Sequence, residues 1–245
     1  VAAMSTAQVA ALHTSSVSSL SAAVSSSLSV HQIFALVTAQ IAALSSDSQI
    51  ISLKNTQVAA MGTNQIAALS TDQVVAMTTG QFATMTTAQV STLTTAQVSN
   101  MDTDDLVSLS TRQFAAFKTS QINALTTDQW SNLKTAQIKG MTTAQMAAIS
   151  TSLVEALTTD QVKAITTAQI SAMTSAQIAG MENEDIATLS AAQFKSLSSA
   201  AVGGITTAQL ADITTAQLNS MTSTQVAGMG TQQIVALSGT QVTQL

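Results

Sequence analysis

The sequence predicts an all-α solenoid, a stack of about thirty very short helices with one helix in each eight-residue repeat. Three observations predict this fold. Large apolar residues recur every eight positions, a Thr or Ser directly follows most of them, and a Gln stands three residues further on. A Thr or Ser followed by Gln at this spacing is the capping box that begins an α-helix.

The eight-residue repeat, or octad, runs without interruption from Leu53 to Leu245. Upstream, apolar residues from Met4 to Leu44 keep the same spacing, and one residue is inserted between Leu44 and Leu53. Nothing in the composition divides this array into separate domains, so we expect a single repeat solenoid.

The expected solenoid covers residues 1–245. Its first part, 1–52, consists of less regular octads and contains the inserted residue, whereas 53–245 is unbroken. Helices shorter than roughly twelve residues are marginal in water on their own. Neighbouring octads must therefore stabilise one another by packing, as in other repeat proteins.

We number the octad from its large apolar residue. The commonest octad reads apolar, Thr, Thr, Ala, Gln, Ile or Val, variable, small, as in Ile165 to Ala172. The Thr at position two can accept a hydrogen bond from an early helix amide, while the Gln at position five reaches back to the Thr amide. The apolar residues at positions one and six then occupy N′ and N4, the pair that packs as a hydrophobic staple. Each octad therefore predicts a helix of about six residues.

Some octads depart from this pattern. Lysine replaces the capping Thr at three places, at a cost of roughly 1 kcal/mol for each lost cap. These lysines are Lys54, Lys118 and Lys134. Small residues such as Gly180 at position eight would let the chain turn sharply and let backbones approach. The aromatic residues fall in columns one and six, with the exception of Phe34.

Two other folds could give an eight-residue repeat. In one continuous helix, the apolar stripe would rotate by about 80° per octad, so no single face could be buried. A β-solenoid is the alternative that remains, because Thr, Val and Ile favour strands. Positions one and six would, however, face opposite sides of an unbroken strand, and Ala and Gln are poor strand residues.

Composition excludes several classes of function. Only 8% of the residues are charged and the net charge is −5, so no cationic face is expected for nucleic acid. No apolar run reaches the eighteen or so residues of a membrane span, since Thr, Ser and Gln interrupt every few positions. Cysteine is absent, so a disulfide framework and thiolate metal sites are excluded. The chain begins in mid-repeat without a leader, which we interpret as a fragment or a mature piece of something longer.

Few residues could carry chemistry, and we expect neither an enzyme nor a cofactor. His13 and His31 have no partner carboxylate at a ligand spacing, and the Met residues alternate with Leu and Ile as core. Two acidic clusters, ten octads apart, are the only candidate calcium ligands, although each offers only three carboxylates. They comprise Asp102, Asp104, Asp105, Glu182, Glu184 and Asp185. The simpler interpretation is a carboxylate version of the helix cap.

The octads Leu-Thr-Thr-Ala-Gln-Val-Ser-Asn at 93–100 and Ile-Thr-Thr-Ala-Gln-Ile-Ser-Ala at 165–172 carry a resemblance to a known kind of sequence. They resemble the octapeptide arrays of very large bacterial surface and secreted proteins, often labelled haem-utilisation or adhesion exoproteins. The resemblance extends along the whole chain but brings no catalytic residues with it. It implies a stalk at the bacterial cell surface or outside the cell.

The predicted function is that of a structural repeat segment, acting as stalk, fibre or coat and self-associating through its neutral, repetitive flanks. The alternative is a binding module whose Thr and Ser columns match a repetitive ligand such as a polysaccharide, ice or another regular surface. A capping hydroxyl cannot also order ligand water, so the Thr or Ser at position three distinguishes the two functions.

Overall fold

The computed structural model describes residues 1–245 and contains helices but no strand. Twenty-nine short α-helices and one π-helical turn account for thirty octads, which confirms the predicted all-α solenoid. The β-solenoid alternative is wrong, because the capping residues turn each octad into a helix before a strand can form. The chain makes two compact units, 1–125 and 126–245, which are described separately. The organisation of all 245 residues as a single array stays a prediction.

The first unit contains α1 to α14 and the π-helical turn. Their bounds are α1 Thr6–Ala10, α2 Thr14–Ser18, α3 Ala22–Ser27, α4 Val30–Ala35, α5 Thr38–Ala42, the π-helical turn Ser46–Ile50, α6 Asn55–Ala59, α7 Thr63–Ala67, α8 Thr71–Val75, α9 Thr79–Thr84, α10 Thr87–Thr92, α11 Thr95–Ser99, α12 Thr103–Ser108, α13 Thr111–Phe114 and α14 Thr119–Ile122.

The second unit contains α15 to α29. Their bounds are α15 Thr127–Ser131, α16 Thr135–Gly140, α17 Thr143–Ala148, α18 Thr151–Glu155, α19 Thr159–Ala164, α20 Thr167–Ala172, α21 Ser175–Ala179, α22 Asn183–Thr188, α23 Ala191–Ser196, α24 Ser199–Val202, α25 Thr207–Asp212, α26 Thr215–Ser220, α27 Ser223–Ala227, α28 Thr231–Ala236 and α29 Gly239–Val242.

Each helix ends because the chain enters the extended region at the next apolar residue. Met85, after α9, has φ −60° and ψ 143°, and the N-cap residue Thr86 that follows has φ −73° and ψ 158°. The amide of Met85 still donates to the carbonyl of Phe82, at 3.1 Å. No residue has a positive φ, so the sharp turns do not require the small residues at position eight. Two extended residues are enough to turn the chain and start another helix.

Within each unit, every helix packs mainly on the helix three octads away, as α7 packs on α10 and α20 on α23. Side-chain hydrogen bonds reach back further, from Gln89 to Val58 in the fourth octad before it. One coil of the solenoid therefore takes between three and four octads. This number could not be derived from the sequence, because it is set by how the apolar columns pack against one another.

The core consists of the two predicted columns. Position six is fully buried through most of the chain, as at Val90 and Ile170, and position one is 5% exposed or less over the same stretch. Trp130 and three phenylalanines fill position six without any exposure, whereas Phe34, at position seven, is 64% exposed. Burial of two large apolar side chains per octad, at roughly 1.5 to 3 kcal/mol each, is the main stabilising contribution.

The inserted residue between Leu44 and Leu53 is accommodated as the π-helical turn. Ser45 caps this turn by accepting from the amide of Gln49, four residues on instead of the usual three, at 3.3 Å. The wider turn places Gln49 and Ile50 in the same buried columns as their counterparts in other octads. The insertion therefore changes one turn and leaves the register of the array intact.

Glycine is required where helices α21, α24 and α27 stack. The octad that contains α24 has the buried Ala201 at position five instead of Gln, and it ends in Gly203 and Gly204. A Cβ atom on Gly204 would lie 2.3 Å from the carbonyl oxygen of Ser175 in α21. Here the backbones themselves are in contact, as the small residues at position eight predict.

Candidate functional site

The capping box forms as predicted in most octads, and α10 shows its geometry. The amide of Thr86 donates to Oε1 of Gln89 at 2.7 Å, and the amide of Gln89 donates to Oγ1 of Thr86 at 3.2 Å. Two early helix amides that have no partner within the helix are thereby satisfied. The helix start is thus fixed by residues within a single octad.

The same Gln side chain also makes a second contact that the sequence analysis missed. Nε2 of Gln89 donates to the carbonyl of Val58, four octads earlier, at 2.9 Å, and to that of Met61, three octads earlier, at 2.8 Å. Met61 lies between two helices, so no helical amide is available to its carbonyl. One amide group therefore begins one helix with its oxygen and binds the end of another with its nitrogen.

We call the set of such contacts the glutamine ladder. Its members are almost completely buried, and each donates to carbonyls 28 to 32 residues earlier. Within the two units it comprises Gln32, Gln40, Gln49, Gln57, Gln65, Gln73, Gln81, Gln89, Gln97, Gln113, Gln121, Gln161, Gln169, Gln177, Gln193, Gln209, Gln217, Gln225, Gln233 and Gln241.

A signal for the ladder was present in the sequence. A capping box accepts Glu as readily as Gln, yet Glu never stands at position five of this chain. Only the amide can donate a hydrogen bond to the neighbouring coil, since an ionised carboxylate is an acceptor alone. The choice of Gln over Glu therefore reflects the contact between coils and not the cap.

The exposed face of the octad consists of positions two, three, four and seven. At position two the hydroxyl is used as a cap, whereas the Thr at position three, as in Thr87, Thr95 and Thr167, makes no hydrogen bond through its side chain. Thr159 is an exception, because its hydroxyl donates to the carboxylate of Asp185. A column of hydroxyl groups is thus available to solvent along each unit.

The family model for the ALTTAQ repeat matches residues 48–79, 98–135, 131–159, 154–181 and 178–215, more than half of the chain. The chain belongs to the ALTTAQ repeat family. No curated protein matches it significantly. None of its helices is long and apolar enough to cross a bilayer.

In the three octads that have a lysine at position two, only half of the capping box is lost. Lys54 makes no side-chain cap, but its backbone amide donates to Oε1 of Gln57 at 2.7 Å. Nε2 of the same Gln57 donates to the carbonyls of Ser25 and Leu28. Lys118 and Lys134 keep the same amide contact with their own glutamines. The array tolerates these lysines because the ladder does not depend on the capping hydroxyl.

We expect Lys54→Thr to raise the free energy of unfolding by up to about 1 kcal/mol, because the new hydroxyl would give the amide of Gln57, which now donates to the carbonyl of Lys54 at 2.9 Å, a side-chain acceptor. Urea unfolding followed by circular dichroism measures the change. Lys139→Thr, at exposed position seven, is the control and should have little effect. Equal stabilities of the two variants would contradict this interpretation.

The acidic clusters lie at two equivalent places in the ALTTAQ array. Asp105 and Asp185 stand at position five, which a ladder Gln occupies in most other octads, and they are 4% and 3% exposed. Asp102 and Glu182 are N-cap residues without a side-chain cap, so the expected carboxylate cap is not formed. The remaining members, Asp104 and Glu184, are exposed in the first helical turn. No group of three or more carboxylates or imidazoles is arranged to hold a metal ion.

Burial dominates the chemistry of these two aspartates. The pKa of Asp105 is raised from its ordinary value of 3.8 to about 6, mainly by desolvation and in addition by the charges of Asp102 and Asp104. Desolvation also raises the pKa of Asp185, although the hydrogen bond from Thr159 opposes the shift. A protonated Asp can donate a hydrogen bond, as the ladder Gln does, whereas the ionised form cannot.

The pKa of Asp105 is higher in the folded chain than in the unfolded chain, so ionisation of this carboxyl destabilises the fold. The destabilisation is absent below about pH 4, increases up to about pH 6 and is constant above that pH. We expect Asp105→Gln to stabilise the chain at pH 7 by up to about 3 kcal/mol and to have a smaller effect at pH 4. Urea unfolding at both pH values tests this. Asp104→Asn is the exposed control, and a stabilisation by Asp105→Gln that is independent of pH would contradict the assignment.

Neither histidine lies beside a carboxylate cluster. His13 is the N-cap of α2, where Nδ1 accepts from the amide of Ser15 at 3.3 Å. His31 is exposed in the first turn of α4. The imidazole of His13 thus takes the place of the capping hydroxyl.

Proposed function

We propose that this chain is a structural segment of a bacterial protein located at the cell surface or outside the cell, where it acts as a stalk, fibre or coat. The observation that supports this most is the glutamine ladder. Each ladder Gln bonds to main-chain carbonyls three and four octads back, as Gln89 does to Met61 and Val58, so neighbouring coils are joined by contacts that any octad with this Gln can make. Low charge and the resemblance to octapeptide exoproteins support the location.

Location is tested by antibodies raised against the folded chain. Labelling of intact cells of the source bacterium, or recovery of the protein from the culture medium, is the expected result. An antigen detected only after the cells are lysed would contradict the proposal.

Self-association into a filament or lattice is part of this proposal. The exposed positions carry mainly Thr, Ser and Ala, and the only ion pair is the exposed Lys163 with Asp160, at 3.9 Å. Little charge repulsion therefore opposes contact between copies. Sedimentation velocity should show species larger than the 25.0 kDa chain as concentration rises. A monomer at every concentration would contradict self-association.

A repetitive binding surface is the second candidate function. It is favoured by the position-three hydroxyls, which have no protein partner at the exposed Thr95 and Thr167 and at the half-buried Thr87. Thermal hysteresis and pull-down with insoluble polysaccharides test it. A variant with these three residues changed to Ala should lose binding while its capping boxes stay intact. Binding that survives in this variant would contradict the role of the column.

A further inference from the structure

One groove of the first unit is lined by three residues that depart from the octad pattern, Phe34, Val37 and Gly62. It lies between the chain that leaves α4 and the start of α7, and its volume is 630 Å³. We call it the Phe34 groove. Its walls and rim are formed by Phe34, Val37, Thr38, Gly62, Thr63 and Asn64.

The same groove with ordinary repeat residues occurs elsewhere in the unit and provides an internal comparison. Between the octads of α9 and α13 it is lined by Ala83, Thr86, Ser110 and Arg112, and its volume is 390 Å³. Phe34 stands where Ala83 is, Val37 where Thr86 is, and Gly62 where Ser110 is. The substitutions at three equivalent positions enlarge the groove and make its walls apolar.

Two of these substitutions occur only once in the chain. Phe34 is the only aromatic residue outside the core columns, and Val37 is the only large apolar residue at position two. Their exposed fractions are 64% and 49%. Both Val37 and Gly62 give up a capping hydroxyl, which costs stability. Gly62 leaves the space in front of the phenyl ring open, since a Cβ there would lie 3.5 Å from Cε2 of Phe34.

The chemistry of the groove restricts the ligand. No charged residue lines it, so an ionised ligand would find no counter-charge. An exposed aromatic face attracts the partly positive C–H groups of a saturated ring. Next to it, the hydroxyls of Thr38 and Thr63 and the amide of Asn64 make no hydrogen bond through their side chains, and they can donate to or accept from ligand hydroxyls. The volume lies within the range of about 300–1,000 Å³ found for small-ligand sites.

We propose that the Phe34 groove binds a pyranose unit of a neutral polysaccharide, with the sugar ring stacked on Phe34 and its hydroxyls bound by Thr38, Thr63 and Asn64. Phe34 also lines a second groove of 530 Å³, together with Val30, His31 and Thr6. Because the two grooves share Phe34, further sugars of the same chain have room next to the stacked one. This is a single site, separate from the threonine columns considered above.

The test is a titration of the full chain with cellohexaose, maltohexaose and laminarihexaose, observed by saturation-transfer NMR. We expect at least one of them to bind, with transfer into its ring protons. Phe34→Ala should weaken binding by at least about tenfold. Val75→Ala, which removes another exposed apolar side chain at position seven, should leave it unchanged.

Gly62→Ser separates loss of binding from loss of folding. Serine is the capping residue of the neighbouring octad, at Ser70, so this variant should be more stable than the natural chain while its side chain narrows the groove. Loss of binding together with a raised melting temperature supports the proposal. The proposal is overturned if none of the three sugars binds, if Phe34→Ala binds as well as the natural chain, or if the groove takes up an apolar peptide in place of sugars.

Discussion

Replacing Gln89 by Glu should destabilise the chain at pH 7 by about 3 kcal/mol or more. The carboxylate can still accept from the amide of Thr86, so the helix start is preserved. It cannot donate to the carbonyls of Val58 and Met61, and it places a negative charge against both oxygens in a site that is 2% exposed. Urea unfolding followed by circular dichroism measures the loss, part of which should be recovered at pH 4 as the carboxyl is protonated.

The chain provides a matched control for this substitution. Gln8 makes the same capping box with Ser5, but it is exposed and its Nε2 makes no ladder contact. Gln8→Glu should therefore change the urea midpoint little. If Gln8→Glu and Gln89→Glu were equally destabilising, the Gln would matter for the cap alone and the ladder would contribute nothing.

Replacing Gly204 by Ala should destabilise the second unit by roughly 3 kcal/mol. The added Cβ would lie 2.3 Å from the carbonyl oxygen of Ser175 and 2.7 Å from its Cα, and backbone atoms cannot rotate out of the way as a side chain can. Trp130, buried in this unit and the only tryptophan, reports on unfolding through its fluorescence.

Gly239→Ala is the control for Gly204→Ala, because a Cβ on Gly239 would meet nothing within 4 Å. We expect it to be neutral or slightly stabilising, since Ala lowers the conformational entropy of the unfolded chain. A Gly204→Ala variant as stable as the natural chain would show that α21 and α24 can separate without cost.

The helices could be predicted from the sequence because the information that begins and ends each one lies within eight residues. Thr86 and Gln89 are three positions apart, and so the local pattern was sufficient. The core columns followed from the same spacing. The inserted residue near Leu44 was also visible, but its absorption as a π-helical turn was not, because that depends on keeping Gln49 in register with a distant coil.

The contacts between coils could not be predicted in the same way. The acceptors of Gln89 lie 28 and 31 residues earlier, and their identity follows only from the number of octads in a coil. For the same reason the sequence predicts helix caps at the acidic clusters, although Asp105 is buried at position five, where the ladder glutamines stand. Phe34 was recognisable as an exception, but Gly62, which opens the space beside it, lies in a different coil.

The ladder amide bonds to main-chain oxygens, which every residue possesses. The contact therefore does not depend on which octads are neighbours, and this affects how the gene can change in length. If recombination within the gene removed or added whole octads, each Gln such as Gln89 would meet the same kind of acceptor in whichever octads then stood three and four places back. No compensating mutation at the junction would be needed. Alleles that differ in copy number should thus encode proteins that differ in length yet fold equally well.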